Sequence, residues 1–252
     1  MTKKRLDILV QERNPQLSRN QIQAFIMQGK VQVNGNPITK AGQLVSVDAD
    51  ITMDLQEPKY VSRAGLKLEH ALDQFSIDVQ GKVALDAGLS TGGFTDCLLQ
   101  KGIARVYGVD VGYGQVHEKI RNDPRVVVME RTNLRHLDTL PEMVDIVTLD
   151  LSFISVLKVM DTVCNVLKKG GALVVLIKPQ FEAQKHQVGK GGIVKDEAVL
   201  KEVIDKVTQG IEAYGFALQG VIDSPITGTM GNREFLSYFL WEKNDCWRLV
   251  GE

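Results

Sequence analysis

Charged side chains follow several short apolar segments of this sequence. Asp86 ends VALD, Asp110 ends VYGVD, Asp150 ends DIVTLD, and Lys178 directly follows ALVVLI. Such segments, separated by helical or loop stretches, are typical of buried strands in a parallel sheet, whose carboxyl ends form the ligand-binding edge. Carboxylates and an amine at that edge could bind a polar ligand and move a proton. For Lys178 taken alone, a structural ion pair with a nearby carboxylate is an equally good interpretation.

A glycine-rich turn follows the first of these segments and reads DAGLSTGGF. Its spacing differs from the G-x-G-x-x-G fingerprint, which disfavours a nicotinamide cofactor, and GKGG at 189–192 lacks the spacing of a triphosphate-binding loop. Glycines here let the backbone approach a ligand closely. The turn resembles the nucleoside-binding turn of methyltransferases, which implies S-adenosylmethionine as the cofactor. The predicted contacts in this turn are Asp86, Gly88, Ser90, Thr91, Gly92, Gly93 and Phe94.

Further cofactor contacts are predicted after the later strands. Asp110 comes 24 residues after Asp86, where a carboxylate can accept hydrogen bonds from both hydroxyls of a ribose. Many nucleoside-binding folds have an acidic residue there, so Asp110 is informative only together with the glycine turn. Asn133 is predicted to meet the adenine, although a helix cap or a surface residue fits it equally well. Asp150 is predicted to lie near the centre of methyl transfer.

The elements that must position these residues form an α/β pattern. The segment SRAGLKLEHALDQF predicts an amphipathic helix capped by Ser62, with Lys67 beside its apolar stripe. Strands are predicted at VALDAG, VYGVDV, VVVM, DIVTLDLS, ALVVLIKP, LQGVID and REFLSYFLW. Strands alternating with helices indicate a Rossmann-like domain with a doubly wound, mainly parallel sheet.

Four residues in this order resemble the tetrad of the FtsJ-like RNA ribose methyltransferases: Lys67 in SRAGLKL, Asp150 in LDLS, Lys178 in IKPQFE and Glu234 in NREFLSYFL. The resemblance covers about residues 60–243. It implies transfer of a methyl group to a ribose 2'-hydroxyl, with Lys178 as general base or stabiliser of the developing alkoxide. Lys67 and Glu234 would shape the tetrad. Glu182 is a second acidic candidate for the place of Glu234.

The amino-terminal segment differs in charge from the rest. Residues 1–47 contain seven Lys/Arg and two Asp/Glu, a balance of +5, which leaves −6 for the remainder of a chain with net charge −1. RLDILVQERN predicts a helix that ends before Pro15, and SRNQIQAFIMQG predicts a second helix, from a cap at Ser18 to a stop at Gly29. VQVNGNPI predicts a hairpin that turns at Asn34-Gly35.

The motifs RLD, LSR and GKVQVNG, across about residues 3–55, resemble the RNA-binding domain named after ribosomal protein S4. This resemblance implies that Arg5, Arg19 and Lys30 contact RNA phosphates, which give affinity rather than base specificity. A small interaction module with ordinary surface charges is the alternative. In the other part of the chain, a glycine- and lysine-rich loop at 183–196 is predicted to close over RNA with Lys185 and Lys190, and a plain mobile loop is equally consistent.

The predicted organisation is an S4-type domain at 1–56, a linker at 57–61 and a methyltransferase domain at 62–252. As a whole the chain resembles the TlyA family, which implies methylation of cytidine 2'-hydroxyls in ribosomal RNA, with ribosomal subunits as partners. The sequence leaves the oligomeric state open, and a monomer is favoured. A catalytically silent ribosome-binding protein is one alternative. A membrane-lytic hemolysin, suggested by the name many family members carry, is a weaker one because no long amphipathic lytic helix is predicted.

Composition excludes several other classes. The sequence has no run of eighteen apolar residues and no secretion signal at its start, which predicts a cytoplasmic protein without a membrane partner. Cys97, Cys164 and Cys246 are odd in number and far apart, so a disulfide framework is disfavoured. The four histidines are equally scattered, and no metal site is predicted.

Overall fold

The computed structural model divides into two compact units, with the boundary between residues 57 and 58. The structure describes residues 2–27, 29–54, 58–228 and 231–242. Two positions used in the sequence predictions, Glu57 at the start of the predicted linker and Cys246, lie outside the described residues.

The first unit is a small α+β fold. Its elements are β1 (Lys3–Arg5), α1 (Leu6–Arg13), α2 (Arg19–Met27), β2 (Val31–Val33), β3 (Asn36–Pro37), β4 (Leu44–Ser46) and β5 (Ile51–Met53). Strand β2 lies between β3 and β5, and β1 pairs with β4; all three sets of pairs are antiparallel. The apolar faces of both helices pack on Val31 and Val45. Burial of these faces is what holds so small a unit together.

Local signals in the first unit match the sequence predictions. Ser18 caps α2 reciprocally: its hydroxyl accepts from the amide of Gln21 at 3.3 Å, and its own amide donates to the Gln21 side chain at 2.8 Å. Gly29 follows α2 with a φ of 74°. Asn34 and Gly35 both have positive φ, as the tight turn between β2 and β3 requires. The predicted helix cap, helix stop and hairpin are confirmed.

The second unit is built on a seven-stranded sheet. Its strands are β6 (Val83–Ala87), β7 (Arg105–Val109), β8 (Val126–Met129), β9 (Val144–Leu149), β10 (Leu167–Ile177), β11 (Phe216–Asp223) and β12 (Phe235–Trp241). Its helices are α3 (Ala64–Gln74), α4 (Gly93–Gln100), α5 (Glu118–Arg121), α6 (Met160–Val166), α7 (Pro179–Glu182) and α8 (Glu197–Glu212), with short 3-10 turns at Leu134–His136, Val156–Val159 and Lys185–Gln187.

The strand order is β11-β12-β10-β9-β6-β7-β8, and only the pairs involving β12 are antiparallel. Alternate residues of β10 point to opposite faces: Val175 belongs to the core beneath α6 and α8, and Val174 to the core beneath α3 and α4. Helices therefore cover both faces. The predicted doubly wound, mainly parallel Rossmann-like fold, with a small α+β unit before it, is confirmed. Chain order reverses between β6 and β9, which places a ligand crevice at their carboxyl ends.

The start of α3 differs from the prediction. Its N-cap residue is Arg63, in a helical conformation and without a side-chain cap, so the predicted cap by Ser62 is wrong. The reason is the packing of the preceding segment. Tyr60 is buried against Gly65, and the amide of Val61 donates to the buried carboxylate of Asp96 on α4 at 2.8 Å. Residues 58–61, predicted as a linker, thus pack as part of the second unit.

Candidate active site

Strand register brings three of the predicted site residues to one edge of the sheet. In the antiparallel pair of β10 and β12, Ile177 lies opposite Phe235, so Lys178 and Glu234 are the next residues at the same end. In the parallel pair of β9 and β10, Leu149 lies opposite Val175, so Asp150 leaves its strand at that end as well. The edge is formed by the carboxyl ends of β9 and β10 and the amino end of β12.

Lys178 forms an ion pair with Asp150, with 2.6 Å between Nζ and Oδ1. Its amine also donates to the hydroxyl of Ser152 at 3.0 Å. Both charged side chains are nearly buried, 11% and 16% exposed. Ser152 was missed by the sequence reasoning, although its place in LDLS, two residues after Asp150, was the available signal. These contacts fix the position of the amine at the sheet edge.

Lys67 and Glu234 form a second ion pair, with 2.5 Å between Nζ and Oε2. The two side chains are 10% and 2% exposed, because α3 packs on β12. Gly228 lies against the carboxylate, and a Cβ at that position would collide with Oε1. The four tetrad residues therefore occur as two ion pairs. Glu182, the alternative to Glu234, instead accepts a hydrogen bond from the amide of Val156 at 2.8 Å.

A cavity of about 450 Å³ opens at the carboxyl ends of β6, β7 and β9. That volume is in the range of sites for small organic ligands. Five of the predicted cofactor contacts line it, namely Gly88, Ser90, Asp110, Asn133 and Asp150. It is also lined by residues that sequence reasoning did not select, among them Gly112, Gln115, Arg135, Ser152 and Phe153. Asp150 belongs both to this cavity and to the ion pair with Lys178.

Gly88 and Asp110 shape the wall of the cavity. Gly88 has a φ of 90°, and a Cβ there would collide with the carbonyl oxygen of Asp150. The Asp110 carboxylate accepts from the amides of Ser90 at 2.7 Å and Gly112 at 2.6 Å. An ionised carboxylate has about four lone-pair positions, so two remain for a ligand. Asn133 accepts from the amide of Arg135 at 3.1 Å, and therefore caps a 3-10 turn while it lines the cavity.

The other predicted cofactor contacts are not brought to the cavity wall. The carbonyl of Thr91 accepts from the amide of His117 at 3.1 Å. Gly92, with a φ of 94°, leads into α4, where Gly93 begins the helix and Phe94 is buried in the core. Asp86 is completely buried and accepts from the hydroxyls of Thr95 at 2.7 Å and Thr148 at 2.9 Å. These residues therefore stabilise the turn and the start of α4 through contacts inside the protein.

Burial raises the pKa of Asp86 to about 6, although hydrogen bonds from Thr95 and Thr148 lower it. The folded state therefore holds this proton more tightly than the unfolded chain does. The resulting stabilisation is present below about pH 4 and is lost as the pH rises through about 6, a difference on the order of 3 kcal/mol.

We expect Asp86→Asn to remove this part of the pH dependence. The measurement is the free energy of unfolding in urea from pH 4.5 to 7.5, with the exposed Asp138→Asn as control. Wild type should lose stability relative to Asp86→Asn as the pH rises. A constant difference between the two proteins across this range would contradict the assignment.

The predicted RNA contacts of the first unit have different surroundings. The guanidinium of Arg5 donates twice to the buried Asp7, at 2.9 and 2.8 Å, and this contact keeps the pKa of Asp7 below its usual value. Arg19 is 67% exposed and lies 3.7 Å from the same carboxylate. Lys30 lies 5.5 Å from the centre of the Phe25 ring. Arg5 thus has a structural partner, whereas Arg19 presents most of its guanidinium to solvent.

The glycine- and lysine-rich loop is pinned at one end. The side chain of Asn232 accepts from the amide of Val194 at 3.1 Å and donates to the carbonyl of Gly192 at 2.9 Å. Lys185 begins a 3-10 turn, and Lys190 lines a second cavity of about 370 Å³. The structure thus places the two lysines in one loop, which Asn232 attaches close to the start of β12 and to Glu234.

Comparison with known proteins gives matches over nearly the whole chain. Residues 60–240 match the FtsJ-like methyltransferase family, and residues 4–51 match the S4 domain. The 16S/23S rRNA (cytidine-2'-O)-methyltransferase TlyA of Mycobacterium tuberculosis is 42% identical over 94% of this chain and 88% of its own. Hemolysin A of Brachyspira hyodysenteriae is 40% identical over 94% and 99%. A solved structure from Streptococcus thermophilus has a TM-score of 0.75 and 37% identity, covering 98% of this chain and 92% of that one.

Within the described ranges, the helices are all too short or too polar to cross a lipid bilayer.

Proposed function

Since the chain belongs to the FtsJ-like methyltransferases and, with its S4 domain, to their TlyA group, we propose that it transfers a methyl group from S-adenosylmethionine to the 2'-hydroxyl of a cytidine ribose in ribosomal RNA. The observation that carries the proposal is the pair formed by Lys178 and Asp150, because Asp150 also lines the 450 Å³ cavity. The amine of Lys178 and a nucleoside-sized cavity therefore both contact Asp150.

The residues of the cavity fit this cofactor. Asp110 retains lone pairs for two ribose hydroxyls. Gly88 contributes only backbone to the cavity wall, because a Cβ there would collide with the carbonyl of Asp150. Asn133 and Arg135 supply polar groups at the other wall for the base. When bound, the cofactor supplies an electrophilic methyl group. Asp86, Thr91, Gly92, Gly93 and Phe94 support the site by holding the turn and the start of α4.

In the proposed mechanism, the ammonium of Lys178 would first give one proton to solvent, and the neutral amine, which can still donate to Asp150 and Ser152, would then take up the proton of the ribose 2'-hydroxyl. The ribose oxygen would attack the methyl group that the cofactor supplies, with the cofactor's sulfur as the leaving atom. Asp150 and Ser152 hold the amine in place, so little reorganisation is needed when the substrate arrives. Lys67 and Glu234 neutralise each other at the neighbouring strand end and fix the packing of α3 on β12. The proposed general base, Lys178, thus directly follows the end of β10, where the sheet keeps its backbone in place.

The S4 domain and the loop at 183–196 are the proposed RNA-binding parts. Arg19, Lys30, Lys185 and Lys190 would contact phosphates, and Arg5 would add one face of a guanidinium that Asp7 already orients. Contacts of this type give affinity and position the target, while base identity is read elsewhere.

The proposal is tested by incubating the protein with labelled S-adenosylmethionine and ribosomal subunits that lack the modification. The expected product is label in ribosomal RNA at a linkage that resists alkaline cleavage, because a 2'-O-methyl group blocks attack by the 2'-oxygen. Label in an alkali-sensitive linkage would mean methylation of a base. Cofactor binding without transfer to either subunit would favour the ribosome-binding alternative. The name of the Brachyspira relative raises lysis as a second activity, which liposome leakage with the same preparation tests.

Arg5 and Arg19 offer a matched comparison within the S4 domain. Arg19→Ala is expected to weaken RNA binding and to reduce the slope of log Kd against the logarithm of the salt concentration by about one. The free energy of unfolding should not change. Arg5→Ala is expected to destabilise the protein as well, by about 1–3 kcal/mol, because the buried carboxylate of Asp7 loses the two hydrogen bonds that Arg5 donates to it. Filter binding across a salt series and urea unfolding measure the two effects. Equal losses of stability in both variants would contradict this division.

A further inference from the structure

Glu182 lies four residues after Lys178 and is 4% exposed. It is the last residue of α7, and its Oε1 accepts from the amide of Val156 at 2.8 Å. Burial raises its pKa, while the hydroxyl of Ser155 and the amide of Val156 lower it. Burial of a carboxylate costs free energy unless hydrogen bonds to the surrounding protein replace those lost to water. The group that it holds is the start of the 3-10 turn Val156–Val159.

Two segments that meet at the active site are joined along their length. Segment 178–182 contacts segment 150–156 through the ion pair of Lys178 with Asp150 and its hydrogen bond to Ser152. The rings of Phe181 and Phe153 pack with their centres 5.0 Å apart, and the bond from Val156 to Glu182 closes the far end. The carbonyl of Glu182 in turn accepts from the amine of Lys206 on α8 at 2.7 Å.

Segment 151–156 needs such an anchor. Phe153 has a φ of 65°, an unfavourable backbone conformation for a residue with a side chain, and is 91% exposed. Leu151, Ser152, Phe153 and Ile154 line the cavity. Little core packing therefore holds the middle of the segment, and its conformation depends on its two ends. Asp150 fixes one end at the strand, and Glu182 fixes the other.

We propose that Glu182 is a positioning residue, which holds segment 151–156 so that the Ser152 hydroxyl and the Asp150 carboxylate stay on the amine of Lys178. The inference rests on the proposed function for its effect on rate, but the geometry can be tested without activity. Its role is to accept a hydrogen bond, so a neutral side chain with a carbonyl at the same place should replace it.

The experiment compares Glu182→Leu with Glu182→Gln. Leucine removes the acceptor and is expected to lower kcat about 10- to 100-fold, because small displacements of positioned groups have effects of that size. KM for ribosomal subunits should remain within about threefold, because the Glu182 side chain is buried and does not itself face the RNA. Glutamine keeps a carbonyl acceptor and should retain most of kcat. Hydrogen exchange of residues 151–157 should accelerate in Glu182→Leu and remain slow in Glu182→Gln.

Val156→Pro removes the donor of the same hydrogen bond from the other side, at a first helical position where proline is tolerated. It should reproduce the loss of kcat, and the double variant with Glu182→Leu should lose little more than either single variant. This variant also provides the test if Glu182→Leu does not fold. Glu212→Leu, an exposed position on α8, is the control and should leave kcat unchanged.

Wild-type kcat and wild-type exchange in both Glu182→Leu and Val156→Pro would overturn the inference. Failure of the wild-type enzyme to methylate any ribosomal substrate would overturn the proposed function instead. In that case the exchange measurements still decide whether Glu182 holds the segment, so the two failures are distinguishable.

Discussion

Lys178→Ala is expected to lower the single-turnover rate of methyl transfer about 10³-fold, the usual contribution of a positioned general base. Cofactor binding should change little, because Lys178 does not line the 450 Å³ cavity. The measurement is transfer of labelled methyl to ribosomal subunits with enzyme in excess, beside calorimetric binding of the cofactor. Lys201→Ala, at an exposed residue of α8 paired with Asp205, is the matched control and should keep the wild-type rate.

Lys178→Arg separates proton transfer from charge. Arginine can still form an ion pair with Asp150 and donate to an alkoxide, but it does not give up its proton in proteins. If Lys178 acts as a base, the arginine variant should be nearly as slow as the alanine variant. A rate within about tenfold of wild type in Lys178→Arg would instead assign the residue to stabilisation of the alkoxide.

The strands of the catalytic domain could be predicted from sequence because they are short apolar runs, each followed by a polar residue. VALD, VYGVD and DIVTLD all form strands; β7 and β9 end directly before Asp110 and Asp150, whereas β6 includes Asp86 and ends one residue later, at Ala87. A strand buried on both faces is mostly apolar, so a charged residue after an apolar run indicates that the strand ends nearby. The positions of Asp150 and Lys178 at the edge follow from this alone.

What the sequence could not provide was the pairing of side chains across the edge. Glu182 and Glu234 are both acidic residues near Lys178, and only the register of β10 with β12 places Glu234 beside the edge and in contact with Lys67. Glu182 lies at the end of α7, and its side chain is directed to Val156, whose amide donates a hydrogen bond to it. This register is a property of the pairing between two strands that are distant in sequence, which the residue pattern of neither strand specifies.

The glycine turn shows a second limit. All seven of its selected residues were predicted to contact the cofactor, but only Gly88 and Ser90 line the cavity. Gly92 has a positive φ and a Cβ there would meet Ile120, so its glycine is required by the turn and by helix packing. A motif identifies a loop that surrounds a ligand, whereas contact depends on which way each residue of the loop points. The predicted helix cap at Ser62 is a similar case. The Ser62 hydroxyl lies against Gly93 and the nearby Tyr60 packs against Gly65, so tertiary packing overrides the preference of serine for the N-cap position.

Breaking the ion pair of Lys67 and Glu234 is expected to have the largest effect on stability. Lys67→Met or Glu234→Leu alone should lower the free energy of unfolding by about 3–5 kcal/mol, because each leaves a charge buried without its partner. Urea unfolding at pH 7 measures the loss. Lys101→Met, which breaks the exposed ion pair with Asp73, is the control and should cost no more than about 1 kcal/mol.

The double variant Lys67→Met/Glu234→Leu distinguishes a structural pair from a catalytic one. Two apolar side chains of similar volume remove both buried charges, so stability should return to within about 1 kcal/mol of wild type or exceed it. If the pair only held α3 on β12, methyl transfer would return with stability. We expect transfer to remain at least about tenfold slow, because the strand end that faces Lys178 would have lost its polar groups. A stable double variant with the wild-type rate would show that the active site needs only the pair of Lys178 and Asp150, and that Lys67 and Glu234 contribute to the fold alone.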